Sequence, residues 1–173
     1  TDEASYRAAV ALEAPTLVDG ILAIYPSKSF ASPKDAFDHF MSEALFVCPA
    51  RFIARTHVAR QKQTWRYSYT HVDKIGTTLG WGSFHASELP LVFGNFTGIF
   101  AGPTAVEQKL SDTMMGYWTR FAATGDPNDP SGASPAWPTY DAATDPYLEL
   151  GDAVSARAAL VKDRCGALEK MVK

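Results

Sequence analysis

The sequence predicts a helix-rich α/β chain that carries only part of a sheet. Three observations lead there: apolar residues recur at helical spacing in several capped segments, only two short stretches alternate at the period of a strand, and the composition supports a core. Of the 173 residues, 46% are hydrophobic and 12% aromatic, enough to bury a sizeable interior and too many for a disordered tail. So few strands among so many helices make too little sheet for a self-sufficient α/β domain. The helices read as the cover of a sheet whose other strands lie elsewhere.

Ser32-Pro33-Lys34-Asp35 combines an N-cap, a first-turn proline and an acid, and Phe37, Phe40, Met41, Ala44 and Leu45 follow on one face. Pro49 begins or kinks a second helical segment, with Ala50, Ile53, Ala54, His57 and Val58 on one side. Thr104-Ala105-Val106-Glu107 has the form of a capping box. The helix it opens carries Val106, Leu110, Met114, Tyr117 and Phe121 as an apolar stripe, and Gly125 with Pro127 ends it. The Asp126-Pro127-Asn128 turn reads as that helix stop. Ser155 is expected to cap a last helix whose stripe of Val161, Cys165, Leu168 and Val172 turns Cys165 inward. Residues 65–70 alternate aromatic and polar side chains as a half-buried strand, and Tyr147-Leu148-Glu149-Leu150 is a second, shorter one. Between them, residues 76–95 hold glycines at 76, 80, 82 and 94 and read as loop around a short apolar run.

Sixteen basic and nineteen acidic side chains leave a net charge of −3, with no basic run. Phosphate binding needs clustered Lys and Arg, so nucleic acid is not an expected partner. No apolar stretch approaches the roughly 18 residues of a membrane span, and the opening TDEASYRAAV is no signal peptide. If the protein is exported, its signal is expected upstream of this chain. Cys48 and Cys165 sit in neither a C-x-x-C nor a Cys/His cluster, and structural zinc needs about four ligands. No metal or other cofactor is expected. Spacing alone leaves two buried thiols or one long-range disulfide open and leans to the thiols; a disulfide would place the chain in an oxidising compartment.

Ester or amide hydrolysis needs a nucleophile, a base and donors for the oxyanion. G-x-S-x-G, whose glycines allow the tight turn that exposes a serine, does not occur. Its nearest approach, Gly132-Ala133-Ser134-Pro135-Ala136, ends in alanine and contains a proline where a helix should start. Neither an HGGG loop, a P-loop, G-x-G-x-x-G nor H-E-x-x-H is present. The segment that stands out is Gly82-Ser83-Phe84-His85-Ala86-Ser87-Glu88-Leu89-Pro90-Leu91-Val92-Phe93-Gly94, a histidine in a small-residue loop ahead of a short apolar helix. A lone histidine is more often a surface or core residue than a chemical one, so spacing by itself assigns His85 no role.

That segment resembles the histidine loop of the type-B carboxylesterase and cholinesterase family, G-x-x-H-x-x-E-L-P-Y-V-F-G. Phe46-Val47-Cys48-Pro49-Ala50-Arg51 is similar to the family's F-x-C-P-A-R, and residues 65–71 to W-x-Y-x-F-x-H. Leu110-Ser111 through Tyr117-Trp118-Thr119-Arg120-Phe121-Ala122 and Thr124-Gly125-Asp126-Pro127-Asn128 resembles L-S-x-x-M-x-x-Y-W-x-N-F-A-x-T-G-D-P-N, and Trp137-Pro138-Thr139-Tyr140 follows in order. Leu91 stands where the family has an aromatic, and Arg120 where it has Asn.

The resemblance implies that residues 1–173 are the C-terminal part of an α/β-hydrolase domain, with the upstream part absent. The family's triad runs Ser, then Glu or Asp, then His. His85 matches the histidine; the serine, the oxyanion glycines and the acid are expected upstream, and Asp2, Glu3 and Asp73 lie in no acid motif. Imidazole suits the double task of base toward the serine and acid toward the leaving alcohol, because it exchanges protons near neutrality. Glu88 reads as a structural anchor of the loop, Trp118 and Phe121 as core. Trp81 and Phe84, beside His85, stand as pocket wall or plain packing. In the cholinesterase branch the cysteines matching Cys48 and Cys165 are joined, so the resemblance implies a disulfide and secretion or a periplasmic location. The expected partners are a small carboxylic ester and the upstream part of the same enzyme. The fragment alone is expected to be inactive and open to self-association through exposed strand edges. The competing reading is a cholinesterase-like adhesion or interaction domain that has lost its triad, against which the presence of His85 argues.

Overall fold

The structure is a computed structural model and describes residues 2–60 and 63–172. In chain order its elements are α1 (Glu3–Glu13), α2 (Val18–Ile24), a 3-10 turn (Ser27–Ser29), α3 (Pro33–Ser42), a π-helical turn (Glu43–Val47), α4 (Cys48–Val58), β1 (Tyr67–Tyr69), α5 (Lys74–Leu79), α6 (Leu89–Val92), a second 3-10 turn (Gly98–Phe100), α7 (Ala105–Thr124), β2 (Pro146–Leu150), β3 (Val154–Ala158) and α8 (Lys162–Met171). They form two compact units, residues 1–60 with 161–173, and residues 61–160.

The first unit is helical. Its core is Tyr6, Val10, Ile21, Tyr25, Ala36 and Phe40, and the Tyr6 hydroxyl donates to the Tyr25 carbonyl at 2.8 Å. Ser32 caps α3 by accepting the Asp35 N–H, with Pro33 in the first turn, as the sequence predicts. Helix α1 carries no periodic signal because only Tyr6 and Val10 are buried, while Leu12 is 85% exposed. Pro49 lies in the first turn of α4, just after the π turn, whose wider bore suits a ring that would clash with a carbonyl one α-turn earlier.

The buried face of α4 is not the expected one. Cys48, Arg51 and Ala54 point inward, whereas Ile53 is 64% exposed. Polar and covalent bonds set that rotation: Cys48 is joined to Cys165, and buried Arg51 reaches Glu169 at 3.5 Å. The cysteines are therefore bonded, with Cα atoms 5.2 Å apart, and the lean to free thiols was wrong. Spacing carries no information about a partner that far along the chain; the family resemblance did. On α8, Cys165 is buried as expected, but Val172 is 73% exposed.

The second unit holds a three-stranded sheet in the order β1-β2-β3, with β1 parallel to β2 and β3 antiparallel to it. Leu148 of the central strand pairs with Tyr67 on one side and Ala156 on the other. Strand β3 occupies the place where Ser155 was expected to cap a helix. Positive φ at Ala159 (60°) and Val161 (45°) turns the chain out of the strand, and the helix begins only at Lys162.

Helix α7 has the predicted capping box at Thr104 and Glu107, and Gly125 ends it at φ 77°. It buries Leu110, Met114 and Tyr117 against Leu91, Trp137, Leu148 and Leu150. Val106 and Phe121 are 44% and 50% exposed, so the stripe fails at both ends, because a helix this long overhangs a narrow sheet. Phe121 packs edge-on to Trp65 rather than in the core. The turn after α7 does more than stop it: Asn128 Oδ1 accepts the Trp137 N–H at 2.7 Å while its amide donates to the Trp137 carbonyl at 3.1 Å. Arg120 donates to the Pro127 carbonyl at 3.0 Å, which ties that departure from the family pattern to the same turn. Residues 76–95 are less loop-like than expected. Asp73 caps α5 by accepting the Gly76 N–H, and Gly80 closes it in the left-handed region; the glycine inside α5 hid it.

Candidate active site

His85 lies in the turn between α5 and α6 and is exposed. Its neighbours are bound to secondary structure on three sides. Ser83 Oγ donates to the Tyr69 carbonyl at the end of β1, at 3.2 Å. The Trp81 N–H donates to the Gly76 carbonyl of α5 at 2.9 Å. On the far side, buried Ser111 of α7 donates to the Leu91 carbonyl of α6 at 2.7 Å. Within the turn, the Ser87 N–H bonds the Phe84 carbonyl and the Leu89 N–H the Ala86 carbonyl. Ala86 adopts φ 68°, a conformation costly for a residue with a Cβ and common at functional turns. The backbone on either side of His85 is thus held in place, and the residue it carries is exposed.

Trp81 and Phe84 pack edge-on against each other, with centroids 5.6 Å apart, and Trp81 is 60% exposed. They form an apolar ridge next to His85 in sequence. Glu88 acts on β1: after burial, its charge is what raises the Tyr67 hydroxyl above the usual tyrosine range, and it contributes with Asp73 and others at Tyr69. Asp2 and Asp73 are N-caps of α1 and α5, and Glu3 accepts from Ser27 Oγ, so each of these carboxylates serves local structure.

Sequence reasoning missed the surroundings of His71. This buried imidazole bridges two carboxylates, with Nδ1 2.6 Å from Asp152 Oδ1 and Nε2 3.5 Å from Glu107 Oε1. Both nitrogens face carboxylates, so neither is placed to take a proton from a hydroxyl. Nothing in the sequence signals this pair, because the partners come from the β2–β3 turn and from the N-terminal turn of α7. His39, on α3, packs against the Phe30 ring near Asp35 and Glu43.

Two concavities lie elsewhere. One of about 610 Å³ in the second unit runs along α7, with Lys109, Ser134, Asp152 and Val154 in its wall. The other, about 490 Å³ and almost wholly apolar, lies in the first unit between Leu17, Phe40, Phe52 and Met171. His85, Trp81 and Phe84 line neither. Among the described residues no group of three or more His, Cys, Asp or Glu side chains is arranged to hold a metal, and no helix is long and apolar enough to cross a membrane.

Helices covering a small mixed sheet, with an exposed histidine on a turn beyond a strand, are what part of an α/β-hydrolase contains. The pattern of the Carboxylesterase family matches residues 6–168, and the chain belongs to that family. It is 33% identical over 121 residues to an acetylcholinesterase of Bungarus fasciatus, covering 68% of this chain and 20% of the relative. Bile salt-activated lipases are similarly close: the Homo sapiens protein is 34% identical over 118 residues (64% of this chain, 15% of the relative) and that of Bos taurus 33% over 113 (63% and 19%). The chain thus spans no more than about a fifth of the curated relatives it matches.

Proposed function

We infer that this chain is the C-terminal portion of a serine carboxylic-ester hydrolase and that His85 is its triad histidine. One observation carries the reading: the segment matching the family's histidine loop puts an exposed histidine in a turn tied to β1 and α5 and followed by a helix, α6, bonded to α7. In the reaction His85 takes the proton of the serine hydroxyl as its oxygen bonds to the ester carbonyl carbon. It returns that proton to the alkoxy oxygen as the carbon–oxygen bond breaks, and water repeats the sequence on the acyl-serine. The serine, the oxyanion donors and the acid come from the upstream portion. Trp81 and Phe84 wall the acyl or alcohol pocket, and the substrate is a small carboxylic ester.

Residues 1–173 form one part of a single hydrolase domain. Among the described residues no strand pairs with β1 on the side away from β2, and parallel strands are normally flanked and covered. The upstream sheet docks on that edge; in its absence the edge favours self-association. The Cys48–Cys165 bond supports a secreted or periplasmic setting.

Purified alone, the chain is expected to hydrolyse no ester at an enzymatic rate. Mixed with a separately expressed upstream portion, it should gain activity toward a short-chain aryl ester once the two assemble. Robust hydrolysis by the chain alone, lost on mutating Ser134, would overturn the reading.

A further inference from the structure

The His85 turn is entered through a contact that only glycine permits. Gly76 is buried in α5, and a Cβ added to it would lie 2.1 Å from the Gly82 carbonyl oxygen and 3.1 Å from the carbonyl carbon. Real Cβ atoms essentially never come within 3.0 Å of such a neighbour, so any side chain at position 76 forces α5 and the Gly82 peptide apart by about 1 Å. The same residue is gripped by polar bonds on both sides. Its N–H donates to Asp73 Oδ1 at 2.7 Å, and its carbonyl accepts from the Trp81 N–H at 2.9 Å and the Gly82 N–H at 3.3 Å. Asp73 itself is only 6% exposed.

Only Ser83 and Phe84 separate Gly82 from His85, and Ser83 is already bonded to Tyr69. Beyond His85 the chain is committed as well, by Ala86 at φ 68° and by the Ser111 bond to Leu91. With both flanks fixed, a shift of Gly82 has nowhere to dissipate except through the turn that carries the imidazole. We propose that Gly76 is a positioning residue for His85, its missing side chain and its bond to Asp73 together setting how deeply the His85 turn seats. The proposal rests on the reading of His85 as the triad histidine. Proton transfer needs heavy atoms within about 2.6–3.2 Å, and a misplacement of about 1 Å costs on the order of a hundredfold in rate. The loss is read in kcat; Trp81, bonded to the Gly76 carbonyl, and Phe84 flank the displaced Gly82 peptide, so KM moves with them.

The test uses the full-length enzyme, with kcat and KM measured on a short-chain aryl ester and folding followed by thermal unfolding. Gly76→Ala and Asp73→Ala are expected to lower kcat about 10- to 100-fold. Asp73→Asn, whose amide oxygen still accepts the Gly76 N–H, should recover most of the loss. A folded Gly76→Ala enzyme with kcat within about twofold of the parent overturns the proposal. If Gly76→Ala does not fold, the Asp73 variants decide: parental kcat in Asp73→Ala overturns it, and loss rescued by Asp73→Asn supports it. His85→Ala, measured alongside, separates the two levels, since substantial turnover there strikes the reading of His85 rather than the role of Gly76.

Discussion

Arg164 closes a two-pronged bond on Glu43, with Nε 2.7 Å from Oε2 and a terminal nitrogen 2.6 Å from Oε1. Glu43 sits in the π turn ahead of α4, is 3% exposed, and also accepts the Tyr25 hydroxyl at 2.9 Å. Burial, reinforced by the Glu43 charge, pushes that hydroxyl well above the usual tyrosine range. The guanidinium also lies over the rings of Tyr25 and Phe30. A buried carboxylate that loses its cation keeps its desolvation cost. Arg164→Ala is therefore expected to destabilise the chain by about 3 kcal/mol, read from urea unfolding midpoints. Glu43→Gln should cost less, because a neutral amide still accepts from Tyr25. An unshifted midpoint in Arg164→Ala would show that the pair contributes nothing.

The same helix is tied by Cys48–Cys165, which closes a loop with a sequence separation of 117. Chain-entropy reckoning gives about 4 to 5 kcal/mol for such a loop, and strain often reduces it. No thiol should titrate in the denatured, unreduced protein, and Cys165→Ser should lower the thermal midpoint. Two titrating thiols would refute the bond and remove the support for an oxidising compartment.

Glu107 sets a pH dependence. Burial acts to raise its pKa, but the Thr104 N–H and hydroxyl and then His71 outweigh it, holding the carboxyl below its ordinary 4.5. A carboxyl depressed in the folded state contributes stability above its ordinary value, and that contribution disappears as pH falls through the lower folded value. Glu107→Gln should flatten the acid limb of a plot of unfolding midpoint against pH, with little change in slope near neutrality. An unaltered acid limb would contradict this.

Helix α7 was legible from residues alone, since its start, inner stripe and stop are local chemistry at Thr104, Leu110 to Tyr117, and Gly125. Strand β3 was not. Its side chains are half-buried or exposed, so no alternation marks it, and it exists through pairing with β2. Helix α5 was masked by Gly76, whose presence answers a close approach to Gly82 rather than a loop. The site divides the same way. His85 and its turn were visible through a family motif, whereas the His71 partners and the Gly76 contact join positions that only the fold brings together.

The central claim is that His85 moves the proton in ester hydrolysis. Its most direct test is the turnover of a short-chain aryl ester by the full-length enzyme carrying His85→Ala. Triad members act as a unit, so the predicted loss is on the order of a thousandfold or more, while alanine at His39, His57 or His71 has far smaller effects. Near-parental hydrolysis by a folded His85→Ala enzyme would contradict the account.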